Sequence, residues 1–208
     1  MPKIDDEAKR WQLEVAERFG LAVAKRRKAL GLTAAQLSER TRELGYPIHR
    51  VAIGKLETNA RAGKVDLGEL LVLAAALHVS PITLVFPGPY GDTVEVLPGA
   101  DTSQFAAAQW FSGMDYFTLE RGRFDDPTAF DEAQELLFGP SMDDWREHTS
   151  LNLWRTLDNA VAARSAIVAE LVHHHEDPDF NERSERAQIA HYDETIRHLR
   201  RVLGVGDG

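Results

Sequence analysis

Cysteine is absent from the chain, which excludes disulfides, zinc fingers and thiol nucleophiles and leaves nothing that points to an oxidising compartment. Long apolar runs are missing as well. No stretch approaches the roughly 18 residues of a membrane span, and the opening MPKIDDEAKRW lacks the apolar core of a signal peptide. A cytoplasmic protein with no membrane partner is therefore expected. Lysine is missing from everything after Lys64. What is present, 208 residues of which 43% are hydrophobic, suffices for one or two ordinary domains.

The formal charge of -9 conceals a segregation of sign along the chain. Residues 1–86 carry 14 Lys or Arg against 10 Asp or Glu, a balance of +4, whereas residues 87–208 carry 10 against 23, a balance of -13. Such asymmetry suits a basic module that meets a polyanion, joined to an acidic module that a polyanion would repel. Between them, PGPYGDTVEVLPGADT holds three prolines and three glycines around one alternating run, Thr93 to Leu97. This reads as a linker, residues 87–104, with at most one strand.

On either side the apolar residues recur at helical spacing. Before the linker they are Trp11, Val15, Phe19, Ala22, Val23 and Leu30, then Leu67, Leu70, Leu71, Leu73, Ala74 and Leu77. After it, the aromatic stretch Phe105, Trp110, Phe111, Tyr116 and Phe117 fits neither period and suggests a helix followed by irregular structure. From about Asp143 a long helix is expected through His175, stopped at Glu176-Asp177-Pro178, with another from about Asn181 to Leu203. Ile189, Tyr192, Ile196, Leu199 and Leu203 fall on a coiled-coil seam. Leu151, Trp154, Leu157, Val161, Ile167, Val168, Leu171 and Val172 supply an opposing face, interrupted by Arg164. The pair reads as an antiparallel helical hairpin.

The most informative segment begins at Leu32. Thr33 is a good N-cap for a short helix from about Ala34 to Arg42, because its hydroxyl can accept a free amide of the first turn. Gly45-Tyr46-Pro47 then breaks the chain, and a second short helix follows from about Arg50 to Thr58. Two short helices joined by a turn after a longer one make a helix-turn-helix candidate.

The runs GLTAAQLSER, IHRVAIGKLE and DLGELLVLAAALHVSPITLVF resemble the Cro and phage-repressor type of helix-turn-helix, the XRE family, over about residues 17–86. The cap before the first short helix, Leu37 within it, the Ile53/Leu56/Glu57 pattern of the next and the Leu-rich helix ending in HVSP carry the likeness. Two departures are visible. The interval from Ser38 to Glu57 is longer than usual in the family, and Ala34 stands where a phosphate-touching glutamine is common. The resemblance implies an all-α chain whose residues 1–86 form a five-helix, lambda-repressor-like DNA-binding domain. The linker and an acidic helical domain, residues 105–208, would follow.

Carried onto this sequence, the resemblance makes the helix of residues 50–58 the one that reads the major groove. His49, Arg50, Val51 and Ala52 occupy its base-facing start and Lys55 lies one turn later. Arg50 has the fork that donates to both O6 and N7 of guanine, and Lys55 reaches a guanine or a phosphate. Val51 and Ala52 can pack on a thymine methyl. His49 sits at the helix start, where capping is an equal alternative to base contact. Gly54 faces the DNA in the family pattern without a side chain. Glu57 matches a position whose carboxylate pairs with an arginine of the first helix, here Arg27. Phosphate contacts are expected from Thr33, Arg40, Arg42, Asn59, Arg61 and Lys64, whereas Lys25 and Lys28 read as solvated charges.

Residues 105–208 show no HExxH, Gly-rich phosphate loop or GxSxG, so neither an enzyme nor a cofactor is expected. The serine–lysine autoproteolysis of some repressors in the resembled family has no base here. His173 to His175 invite a metal, but adjacent helical residues diverge by about 100°. Only His173 or His174 could join a ligand four residues away on one face; Glu170 with His174 is one such pair, which His191 or His198 of the next helix could approach. A helix end that favours positive charge explains the cluster without a metal. The hairpin reads as an interaction element that serves a homodimer, its own chain or a second protein. The expected function is a sequence-specific, DNA-binding transcriptional regulator, more a repressor than an activator. The alternative is an antitoxin or phage immunity component whose second half binds a partner protein.

Overall fold

The computed structural model describes residues 2–114, 126–138, 150–174 and 180–205. These are mostly helical, as expected. In chain order they form α1 (Pro2–Ala29), α2 (Ala34–Glu43), α3 (Arg50–Glu57), α4 (Leu67–Ala76), α5 (Pro81–Val85), β1 (Thr93–Leu97), β2 (Ala100–Ser103) and α6 (Gln104–Phe111). Then come α7 (Pro127–Phe138), α8 (Ser150–His174) and α9 (Glu182–Leu203). Contacts divide the chain into two compact units, Met1–Gln134 and Glu135–Gly208.

The first unit is built around the apolar positions of α1 to α5. Phe19 and Val23 of α1, Leu37 of α2, Ile53 and Leu56 of α3, Leu73 and Leu77, and Leu84 of α5 form one buried cluster. Thr33 starts α2 with a reciprocal cap: its hydroxyl accepts from the Gln36 amide at 3.2 Å, and the Gln36 side chain accepts from the Thr33 amide at 2.9 Å. After α2 the backbone turns at Gly45, whose φ of +83° favours glycine. The connection to α3 is stitched back onto α2. The buried Thr41 hydroxyl accepts from the Ile48 amide at 3.0 Å, and the Ser38 hydroxyl donates to the Ile48 carbonyl at 2.7 Å. This satisfies backbone groups that the break in helix would otherwise orphan.

Helix α3 lies unusually close to α1. A Cβ placed on Gly20 would stand 2.2 Å from the Leu56 carbonyl oxygen, so only a residue without a side chain allows the approach. The end of α4 is closed by side chains from α1 and α2. Arg26 Nε donates to the Leu77 carbonyl at 3.0 Å and Arg40 Nη1 to the Ala76 carbonyl at 3.1 Å, supplying donors to carbonyls a helix end leaves open.

The segment expected as a linker with at most one strand is instead an antiparallel pair. Thr93 lies opposite Ser103 and Val94 opposite Thr102, with an irregularity between Glu95 and Leu97. Val94, Val96, Ala100 and Thr102 are buried. The hairpin is also tied to its neighbours: Glu95 pairs with Arg10 of α1 at 2.7 Å, Gln104 accepts from the Gly88 amide at 2.9 Å, and Phe86 meets Phe111 edge to face at 5.9 Å. Prolines and glycines here shape tight turns within a folded unit that extends beyond the expected boundary at residue 86.

In the second unit, α8 and α9 form the expected hairpin. Leu157, Ala160, Ile196 and Leu199 are buried together, with Tyr192 and Leu203 packed on them. Arg164 Nε meets Asp193 Oδ1 at 2.5 Å, which explains the charge interrupting the seam. Ascending positions on α8 meet descending positions on α9, so the helices are antiparallel. Asn181 caps the start of α9, and Gly204, at φ +68°, closes its end. The single apolar face expected for α8 is corrected to two. Leu157 points inward, whereas Leu151, Trp154, Val161, Val168 and Val172 are exposed. Helix α6 ends at Phe111. Tyr116, Phe117, the start near Asp143 and the stop at Glu176-Asp177-Pro178 lie outside the described residues.

The approach of α3 to α1 gives a paired expectation for two glycines. Gly20→Ala should destabilise by about 1–3 kcal/mol through overpacking. Gly54→Ala, with nothing within 4 Å of the added methyl, should stabilise by up to about 1 kcal/mol through helix propensity. Urea denaturation of both variants checks the opposite signs.

Candidate nucleic-acid interface

Helix α3 is held from one side only. Ile53 and Leu56 enter the core. Glu57 receives a bidentate pair from Arg27, Nε to Oε1 at 2.6 Å and Nη2 to Oε2 at 2.7 Å, while Arg27 Nη1 donates to the Leu32 carbonyl at 2.7 Å. One guanidinium thus ties α1 to α3 and to the approach of α2, bringing Arg27 and Glu57 together as the sequence anticipated. The hydrogen bond to Glu57 raises the Arg27 pKa above its ordinary value. With both side chains under 15% exposed, the pair fixes orientation at a desolvation cost that offsets much of its attraction.

The opposite side of α3 is open. Arg50, Val51 and Lys55 are exposed, Val51 to 52%. Gly54 has nothing within 4 Å of where a side chain would begin. Val51, Gly54, Lys55 and Thr58 follow the spacing i, i+3, i+4, i+7 of one helical face, with Arg50 beside them. Thr58, which the sequence reading left out, is exposed at the C-cap and donates its hydroxyl to the Gly54 carbonyl at 2.9 Å. Its position seven after Val51 was the available signal. Ala52, expected on the reading face, packs half-buried against the core instead. His49 is exposed, and its Nδ1 accepts from the Val51 amide at 3.3 Å. It therefore caps the helix, which leaves Nε2 as the ring's remaining polar atom.

The six expected phosphate contacts separate into two groups. Thr33, Arg42 and Lys64 are exposed, Thr33 within its cap and Arg42 in a solvent-facing pair with Glu39 at 2.8 Å. The other three are committed to the scaffold. Arg40 closes α4 as described, Asn59 donates to the Leu13 carbonyl at 2.9 Å, and Arg61 pairs with Glu69. Asn59 and Ala62 sit at φ +52° and +54°, a conformation side chains rarely adopt. The amide of Asn59, with Lys9 donating to the Ala62 carbonyl at 2.7 Å, pins this loop to α1.

Elsewhere, His174 Nε2 lies 3.2 Å from Glu170 and the ring stacks on Phe180 at 5.6 Å. No group of three or more His, Cys, Asp or Glu gathers as a ligand set among the described residues, and His175 lies outside them. No helix among the described residues is long and apolar enough to cross a membrane. Comparisons with protein-family models, curated proteins and solved structures find no match.

Removing one partner of the Arg27–Glu57 pair strands a buried charge, so Arg27→Ala should cost about 3 kcal/mol. Arg42→Ala, breaking a solvent-facing pair, should cost less than about 1 kcal/mol. Thermal unfolding of the two variants beside the parent protein checks the contrast.

Proposed function

We propose that residues 1–86 are a helix-turn-helix reader of the lambda-repressor-like type, α2 and α3 being its two short helices, and that the chain is a sequence-specific DNA-binding transcriptional regulator. The observation that carries this reading is the one-sided anchoring of α3. Its inner side chains and Glu57 hold it to the core, and its outer face offers a guanidinium, an ammonium, an apolar side chain and a glycine. A major groove admits one helix, and that set of groups matches base edges. Arg50 donates to O6 and N7 of a guanine, Val51 packs on a thymine methyl, Lys55 reaches a guanine or a phosphate, and Gly54 permits close backbone approach.

Thr33 with the first amides of α2, Arg42 and Lys64 supply the contacts to the sugar-phosphate backbone. The +4 balance of residues 1–86 favours a polyanion. Repression is the mode that needs nothing more than tight binding, since an occupied promoter excludes polymerase. The acidic remainder then serves assembly.

Arg50→Ala should cost about 1–3 kcal/mol on a duplex carrying the preferred sequence and relax preference at one base pair. Lys64→Ala should weaken binding to preferred and scrambled duplexes alike and lower the salt dependence by about one phosphate. Fluorescence anisotropy on both duplexes distinguishes the two. Equal losses from Arg50→Ala on the two duplexes would remove it from base reading.

A further inference from the structure

Between α1 and the loop that joins α3 to α4 lies a cleft of about 530 Å³, lined by Trp11, Val15, Arg61, Gly63, Lys64 and Val65 among others. That size suits a small molecule. Trp11 and Val15 stand at core spacing in the sequence, yet neither joins the buried cluster of α1 to α5. They wall this cleft instead, together with the exposed Val65 of the loop. The loop is fixed against α1 without a ligand. Asn59 is tied to Leu13 and Ala62 to Lys9, and Gly63, at φ +82°, lies so near Gln12 that a Cβ would stand 3.2 Å from its Cγ. Ala62 is held at φ +54° in the same stretch. Backbone strain that neighbouring contacts hold in place gathers at sites that clamp a ligand.

The polar groups left over in the cleft select its ligand. The Trp11 indole N–H is the one buried side-chain polar group without a partner among the described residues. Such a donor is destabilising until it meets an acceptor. Gln12, also on the lining, accepts from Lys9 through Oε1, which leaves its amide nitrogen to donate. Lys64 is exposed, and its ammonium pairs with no carboxylate among the described residues. Arg61 is taken by Glu69, and Asp66, the one carboxylate on the lining, already accepts from the Glu69 amide. Three donors thus lack acceptors, one of them charged, beside an indole and two valines. They fit an anion carried on a flat apolar body.

We propose that this cleft binds an aromatic carboxylate. The ring packs on Trp11, Val15 and Val65, and the carboxylate accepts from Lys64 and, once the indole turns toward it, from the Trp11 N–H. Lys64 also serves a DNA phosphate on the regulator reading, so an occupied cleft weakens the DNA complex. That coupling rests on the regulator reading, whereas the site itself is tested without DNA. The probe is cinnamate, titrated into the full chain and followed through the indole N–H resonances in heteronuclear NMR. The Trp11 signal is the one missing from Trp11→Phe or, should that variant not fold, is assigned sequentially in the parent protein. It should move downfield and saturate with a midpoint in the low millimolar range or below, as a ligand of this size allows. Lys64→Gln should weaken binding about tenfold, and the neutral cinnamamide should bind the parent as weakly. Cinnamate should also weaken the complex with duplex DNA in an electrophoretic mobility shift.

A Trp11 resonance that stays in place at high millimolar cinnamate overturns the proposal, whatever the protein's affinity for DNA. Binding that is equally strong in Lys64→Gln and with cinnamamide does the same, because apolar contact alone would then account for it. An unchanged mobility shift at saturating cinnamate overturns the coupling to DNA. Cinnamate binding of the stated kind by a protein that binds no DNA would uphold the site and remove the regulator reading instead.

Discussion

The first unit depends on one close approach, the backbone of Leu56 set against Gly20. A side chain at that point on α1 would push α3 outward. Ile53 and Leu56 pack beneath α3, and Arg27 grips Glu57 through two hydrogen bonds of 2.6 and 2.7 Å. Apolar burial supplies the stability here, while the ion pair supplies direction, because its attraction is largely offset by desolvation. The result is a short helix whose own hydrogen bonds are too few to make it stand alone, yet whose outer face is fixed.

Basic residues in this unit do two kinds of work that composition cannot separate. Arg26, Arg40 and Arg61 spend their guanidinium groups on helix-end carbonyls and on Glu69. Arg18, half-buried, donates to the Val85 carbonyl at 2.9 Å and lies over the Phe86 ring, and burial pushes its pKa down. The charges left for a partner are fewer than the sequence suggests: Arg50 and Lys55 on α3 and Lys64 after it are exposed, as are Lys25 and Lys28 on α1. A sparse set of this kind suits base reading with modest phosphate anchoring.

What was legible in the sequence was local. Thr33 could be read as a cap because its partner Gln36 is three residues away, and Gly45 with Pro47 marked the break because a turn depends on its own residues. Arg27 with Glu57 was reached through family resemblance, not through spacing. The partners of Asn59, Arg40 and Arg61 lie far along the chain, at Leu13, Ala76 and Glu69, and no local pattern announces them. β2 was missed because Ala100-Asp101-Thr102-Ser103 has little strand character, and its burial comes from pairing with β1. On α8, valines and leucines of two adjacent faces merge into one list when read along the chain. Only packing against α9 separates the inner side from the outer.

The central claim is that α3 reads sequence and does not merely carry charge. The most direct test is selection of bound duplexes from a random pool by the full chain at low and at moderate salt. If α3 reads bases, one enriched motif survives the increase in salt, containing a guanine and a thymine within one half-site, repeated in inverted orientation about one helical turn apart. Binding without enrichment, lost as salt rises, would contradict it, because that is recognition of the phosphate backbone alone.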